Sequence, residues 1–478
     1  MKPSSLRAAL LAVGWVLSGG MAAHAAAPPV EFPPDAFPST YQPLPGPTTL
    51  IRNATVYTGT GERIDDGAVL LQDGKIAAVG KQIAAPAGAV VLDAGGKFVT
   101  PGLIDVHSHL GVYPSPSVSS TANGNETTNP NTAQVMAEHS VWPQDPGFNT
   151  ARAGGVTTLQ ILPGSANLIG GRSVVLKNVP AITVQAMKFP DAPYGLKMAC
   201  GENPMRVYGS RKQFPSTLMG DVAGYRQAFA DAQAYDQQWK AWQAKARAKG
   251  AAEAGPPPKR DLGKETLAEV LDGRILIQMH CYRSDEMAVM LDVAKEFGFK
   301  IKAFHHAVEA YKIPHLLAES GTCAAVWADW WGFKMEAWDG IRANLAMVDA
   351  GGACALIHSD DANGIQRLNQ EVAKARAAGL QAGLDISKAH AVMWMTLNPA
   401  RALGLADRIG SLEPGKNADV VLWDRDPFSV YAHAEKVFLD GALVYDRDDA
   451  ARQAKSDFML GSFMAPPAGA ARAAEDTP

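Results

Sequence analysis

Pro101-Gly102-Leu103-Ile104-Asp105-Val106-His107-Ser108-His109 is an apolar run that opens on Pro-Gly and closes on two histidines two residues apart. Residues i and i+2 of a β-strand project to the same face, so His107 and His109 share a face at the strand's C-terminal end. Two neutral imidazoles placed this way can chelate one cation, with zinc and other late first-row metals as good matches. An isolated HxH arises often by chance. The apolar strand and its Pro-Gly lead-in make this one much more specific.

The same arrangement recurs downstream. His280 ends Ile275-Leu276-Ile277-Gln278-Met279, and His305-His306 ends Ile301-Lys302-Ala303-Phe304. Of that adjacent pair, alternation lets only one side chain face inward; His306 is assigned inward and His305 toward the helical layer. Cys354-Ala355-Leu356-Ile357-His358-Ser359-Asp360-Asp361 then puts a carboxylate at a strand end. Asp360 is read as a metal ligand and proton acceptor, against a competing reading as a helix N-cap. Asp361, one residue on, faces elsewhere.

Further strand-length apolar runs are Val156 to Leu162, Leu196 to Ala199 and Cys323 to Trp327, separated by helical stretches. Continuous apolar runs suit parallel strands buried on both faces. Repeated βα units over residues 101–411 predict an α/β fold, a (β/α)8 TIM-type barrel with its active site at the strands' C-terminal ends. A doubly wound sheet ranks only modestly lower. Short β-type runs at 48–100 and 412–447, with Asp73-Gly74 and Asp440-Gly441 as hairpin signals, predict one flanking composite β-sandwich domain formed from both ends of the chain. A helical insertion is expected over about 205–270. Its stretch from Asp221 to Gly250 carries Tyr225, Phe229, Tyr235, Trp239 and Trp242, an aromatic stripe read as packing against the barrel.

Lys2 and Arg7, the apolar run Ala8 to Leu17 and Ala23-His24-Ala25 read as a secretory signal peptide over residues 1–25. This implies a periplasmic or secreted protein. Residues 26–47 are rich in proline and favour an extended leader over a packed element, and 448–478 form a tail that ends in an Ala- and Pro-rich stretch. No later run is long and apolar enough to span a bilayer. Removing residues 1–25 takes the formal charge from −4 to −6, which gives no electrostatic case for binding nucleic acid or an anionic membrane. Cys200, Cys281, Cys323 and Cys354 are scattered without CxxC spacing, leaving room for one bridge.

PGLIDVHSH, HCYRSDE, FHHAVEAYK, IHSDD and above all LNPARALGLADRIGSLEPGKNADVVLWDRDP together resemble the amidohydrolase superfamily, in its imidazolonepropionase-like and Xaa-Pro dipeptidase-like branch, over roughly residues 48 to 447. The resemblance implies a metal-dependent hydrolase with one or two divalent cations, most simply Zn2+. His107, His109, His280, His306 and Asp360 match its metal site in turn. It also implies a bridging ligand on the fourth strand, commonly a carboxylated lysine. Lys197 is the best match, while the Gly-Glu-Asn-Pro that follows offers Glu202 as a competitor.

Asp360 and His306 are thus the expected catalytic residues: Asp360 moves a proton, and His306 holds a second metal or steadies an oxyanion. The Ser165–Arg172 loop offers Arg172 as a carboxylate binder, and Tyr282 and Arg283 follow His280. Trp327, Trp330 and Trp331 are candidates for an apolar pocket wall or for barrel packing. The expected reaction is cleavage of an amide or peptide C–N bond in a dipeptide, an N-acyl amino acid or another small substrate. Cyclic amide hydrolysis and deamination are runners-up, and an exported, non-catalytic metal binder is the rival of another class. A homo-oligomer is left open.

Overall fold

The computed structural model describes residues 32, 35–115, 117–330 and 332–450. The expected signal peptide and all of the tail beyond 450 lie outside these residues.

Eight strands surround the barrel axis, numbered here β1 (Leu103–Ser108), β2 (Val156–Ile161), β3 (Ile169–Lys177), β4 (Gly195–Ala199), β5 (Leu276–Cys281), β6 (Ile301–His306), β7 (Cys323–Val326) and β8 (Cys354–Ile357). They pair in sequence order. Every residue of β1 and β2 is buried, as expected for strands covered on both faces. The path is nearly closed: at its seam the Asp360 N–H donates to the His107 carbonyl at 2.9 Å. The Ser359 N–H donates across the same seam to Asp105 at 3.1 Å.

The barrel departs from an all-parallel one at β3, which pairs antiparallel with both β2 and β4. Ile169-Gly170-Gly171-Arg172, expected in a βα loop, begins this strand. Gly171 has φ +119°, and a Cβ there would run into Val135. The glycines therefore serve close packing inside a strand, where they had suggested a loop.

Strands from both ends of the chain share one eight-stranded sheet beside the barrel. Phe98–Pro101 lies antiparallel to Val420–Trp423, with Val421 opposite Thr100 and Leu422 opposite Val99. Ile51, Val56, Val69, Val99, Val420 and Phe438 form its separate core.

The expected leader has no regular element over 35–48 and is mostly exposed, but it is tethered to the fold at particular side chains. Tyr41 is buried and its hydroxyl donates to Asp440 at 2.6 Å; Asp35 pairs with Lys188 at 2.8 Å. Prolines fixed the extended path, and buried polar partners hold it. A 32-residue helix, Leu218–Lys249, packs Tyr225, Phe229, Tyr235 and Trp239 inward. All four cysteines are paired, as Cys200–Cys281 and Cys323–Cys354. The spacing left room for one bridge, and two form because the fold sets Cys200, just past β4, beside Cys281 at the end of β5, and Cys323 of β7 opposite Cys354 of β8. No described helix is long and apolar enough to cross a membrane.

Candidate metal centre

The C-terminal ends of β1, β5, β6 and β8 bring imidazoles and one carboxylate together. Asp360 Oδ1 lies 3.1 Å from His109 Nε2 and 3.4 Å from His107 Nε2, and its Oδ2 lies 3.9 Å from His306 Nδ1. The rings of His280 and His306 are 4.5 Å apart. On β4, the fully buried Lys197 reaches to 3.1 Å from His107 Nε2. His109 is steered by a contact of 2.9 Å between its Nδ1 and the Leu162 carbonyl.

Local backbone geometry aims these groups. Asp360 (φ +54°), His306 (φ +71°) and Ala307 (φ +39°) occupy the left-handed region, which is sparsely populated by residues with side chains. The turn at His306 breaks strand alternation, and this corrects the expectation for His305. Both rings of the pair face the site: His305 Nδ1 is 2.9 Å from His107 Nδ1, and its Nε2 is 2.7 Å from Gln278 Oε1.

One member of the cluster was missed by sequence reasoning. His358, buried, accepts the His306 backbone N–H at Nε2 (3.2 Å), and its ring lies 5.1 Å from that of His107. Its signal in the sequence was the one that marked His280, a histidine directly after a short apolar strand run, here Cys354–Ile357.

Burial, followed by neighbouring Lys197 and imidazole charge, drives His107, His280 and His306 well below the ordinary histidine range. Burial also takes His358 down to about 3 and Lys197 down to about 8. Burial alone would raise Asp360. The His109 hydrogen bond and the surrounding positive charge outweigh it, and the carboxyl sits below its usual value. His107, His280, His306 and His358 are therefore held neutral near an ionised Asp360, the donor states a divalent cation requires.

The other candidates divide. Tyr282 is in the site, its ring stacked 5.0 Å from His306. The Glu202 carboxylate pairs with Lys334 at 3.5 Å, while Lys197 is the fourth-strand group that reaches His107. Arg172 is also elsewhere, held by Glu269 at 2.9 Å and Thr266 at 2.9 Å on the outer helix Leu262–Leu271. Arg283 points outward and pairs with Asp285 at 2.9 Å. Trp327 stacks on His306 at 4.3 Å, with Trp330 behind it at 5.2 Å; Trp331 is outside the described residues.

Residues 98–449 match the family model described as Amidohydrolase family. The chain belongs to that family, a class of hydrolases acting on carbon–nitrogen bonds. It is 34% identical over 432 residues to amidohydrolase tasK of Hapsidospora irregularis, covering 84% of this chain and 43% of that protein, so it spans less than half of this relative's length. An imidazolonepropionase of Geobacillus sp. is 27% identical over 403 residues, covering 76% of this chain and 84% of the relative. Among solved structures, an amidohydrolase from Thermotoga maritima superposes with a TM-score of 0.76 at 36% identity, covering 84% of this chain and all of that one.

Proposed function

We propose that the chain is an exported, metal-dependent amidohydrolase that cleaves the C–N bond of a small substrate such as a dipeptide or an N-acyl amino acid. The observation that carries this reading is the convergence of Asp360 with His109, His107 and His306 at 3.1, 3.4 and 3.9 Å. Nδ1 of His280 and of His306 is buried without a hydrogen-bond partner, which is unfavourable unless something else satisfies it. These residues fit a cation. His107, His109, Lys197, His280, His306 and Asp360 would hold one or two, with Zn2+ matching the donor set and Lys197 carboxylated if it bridges.

A cation held there lowers the pKa of water toward neutrality and polarises a carbonyl. Asp360, kept ionised, accepts the proton of the attacking water and delivers it to the leaving nitrogen. His306, 3.9 Å from Asp360 and braced by Trp327, steadies the developing oxyanion or serves as a ligand. Likeness to an imidazolonepropionase favours cyclic amide hydrolysis as the second reading, with deamination on the same scaffold behind it.

The test is metal analysis of the purified protein, followed by a panel of dipeptides, N-acyl amino acids, cyclic amides and aminated bases with and without chelator. Turnover that chelation abolishes and zinc restores is the expected result. Stoichiometric metal without turnover of any amide would make the protein a metal binder instead.

A further inference from the structure

Beside the metal centre lies an apolar surface that the proposed chemistry does not use. The segment after β7 exposes Trp330 (44%), Phe333 (58%), Met335 (77%), Trp338 (68%) and Ile341 (38%) within twelve residues. Scattered exposed apolar side chains need no explanation, but a run of this density at the mouth of a site does.

The run is continuous with the histidines. His306 and Trp327 stack 4.3 Å apart at 26°, and Trp327 and Trp330 stack 5.2 Å apart at 24°, so a ladder of near-parallel rings leads from the cluster to the surface. Trp327 is fixed within it, because its Nε1–H donates to the Ser359 carbonyl at 3.0 Å. Phe333 closes the side, with its ring edge-on 6.0 Å from Trp327 and 6.3 Å from Tyr282. The polar groups here are already engaged. Lys334, whose ammonium lies 3.9 Å from the centre of the Tyr282 ring, pairs with Glu336 at 2.9 Å and Glu202 at 3.5 Å. Arg172 and Arg283, the arginines expected from the sequence to take a substrate carboxylate, pair with Glu269 and Asp285.

We infer that Trp327, Trp330 and Phe333 form the specificity element of the enzyme, and that its substrates carry a large flat apolar group, such as a benzyl side chain, next to the scissile amide. This rests on the amide-hydrolase reading above. An amide held at His306 lies next to Trp327, because those two rings stack 4.3 Å apart. Flat groups gain on such a wall through stacking as well as burial, and rigid aromatic walls lose little conformational freedom in binding them. Asp329 near the segment's start is paired with Lys374 at 2.9 Å, so docking an apolar group there does not desolvate an unpaired carboxylate.

The experiment compares two phosphinic dipeptide isosteres, one with benzyl and one with methyl side chains, as ligands of the metal-loaded full chain by calorimetry. In parallel, kcat/KM is measured for the matching hydrolysable pair. The benzyl compound is expected to bind at least tenfold tighter. Trp330→Ala and Phe333→Ala are each expected to lower the benzyl-to-methyl ratio by about tenfold, and Trp330→Phe to keep most of it. Both sites are exposed enough for the fold to tolerate truncation. Equal affinities, no binding of either compound, or an unchanged ratio in both alanine variants would overturn the inference. A dimer that becomes monomeric in Trp330→Ala with the ratio unchanged would assign this face to a second copy of the chain. Benzyl-selective binding without hydrolysis of any amide would leave the specificity element standing and strike the proposed function alone.

Discussion

Asp360 joins His107 twice: its backbone N–H donates to the His107 carbonyl at 2.9 Å, and its carboxylate lies 3.4 Å from the His107 ring. The contact that brings the barrel's last strand against its first also sets the distance between its proposed base and its proposed ligand.

Asp360→Asn keeps the backbone contact and removes the proton acceptor. General acid–base groups contribute about 10²- to 10⁴-fold, so kcat on any amide the wild type hydrolyses is expected to fall by roughly 10³-fold or more. Metal content, read by elemental analysis, should be retained in part. Near-normal turnover would end the assigned role.

Ser359→Ala tests the seam beneath the site. The buried Asp105 carboxylate accepts from the His107 N–H at 3.1 Å, the Ser359 N–H at 3.1 Å and the Ser359 hydroxyl. Losing the hydroxyl leaves a buried acceptor short of a donor, a cost of about 1–3 kcal/mol. The thermal midpoint should drop by a few degrees, and an unchanged midpoint would show that the hydroxyl is dispensable.

Arg172→Met removes a guanidinium held by Glu269 and Thr266, outside the metal centre. Stability is expected to fall by about 1 kcal/mol while KM stays within about twofold. A large rise in KM would return Arg172 to the substrate site.

Asp221, in the first turn of the long helix, carries a pH dependence of its own. Burial, then Glu286 and Glu336, raise its carboxyl to about 8; Tyr225 and the Gly201 N–H also face it. The folded protein keeps a proton that the unfolded chain releases near pH 4, so stability falls as pH rises from about 4 toward 8. The loss is on the order of a few kcal/mol, and Asp221→Asn should flatten it. Urea midpoints at pH 5 and pH 8 measure both; an equally steep variant would point to Glu286 instead.

The barrel was legible wherever an apolar run ended in a chemically distinctive residue, as at His107, His280, His306 and Asp360. It was not legible at β3, because Gly170-Gly171 carries the signature of a loop and only the contact with Val135 explains its place in a strand. The site was readable where strand alternation holds. It failed at His305, since the left-handed turn at His306 is a property of the chain's path that residue identity does not encode. His358, directly after the apolar run Cys354–Ile357, was overlooked beside the stronger carboxylate. Arg172 and Arg283 illustrate the converse: both look like anion binders in one dimension, but Arg172 meets Glu269, which only the fold brings near, and Arg283 is taken by Asp285, two residues along the chain.

The pairing of Phe98–Pro101 with Val420–Trp423 also constrains how the molecule is made. At ribosomal speeds of about 5–20 residues per second, roughly half a minute separates the synthesis of the first strand from that of its partner. Throughout that interval an apolar strand edge has no native neighbour, so the nascent chain needs either a chaperone or dilution to avoid pairing with another copy of itself.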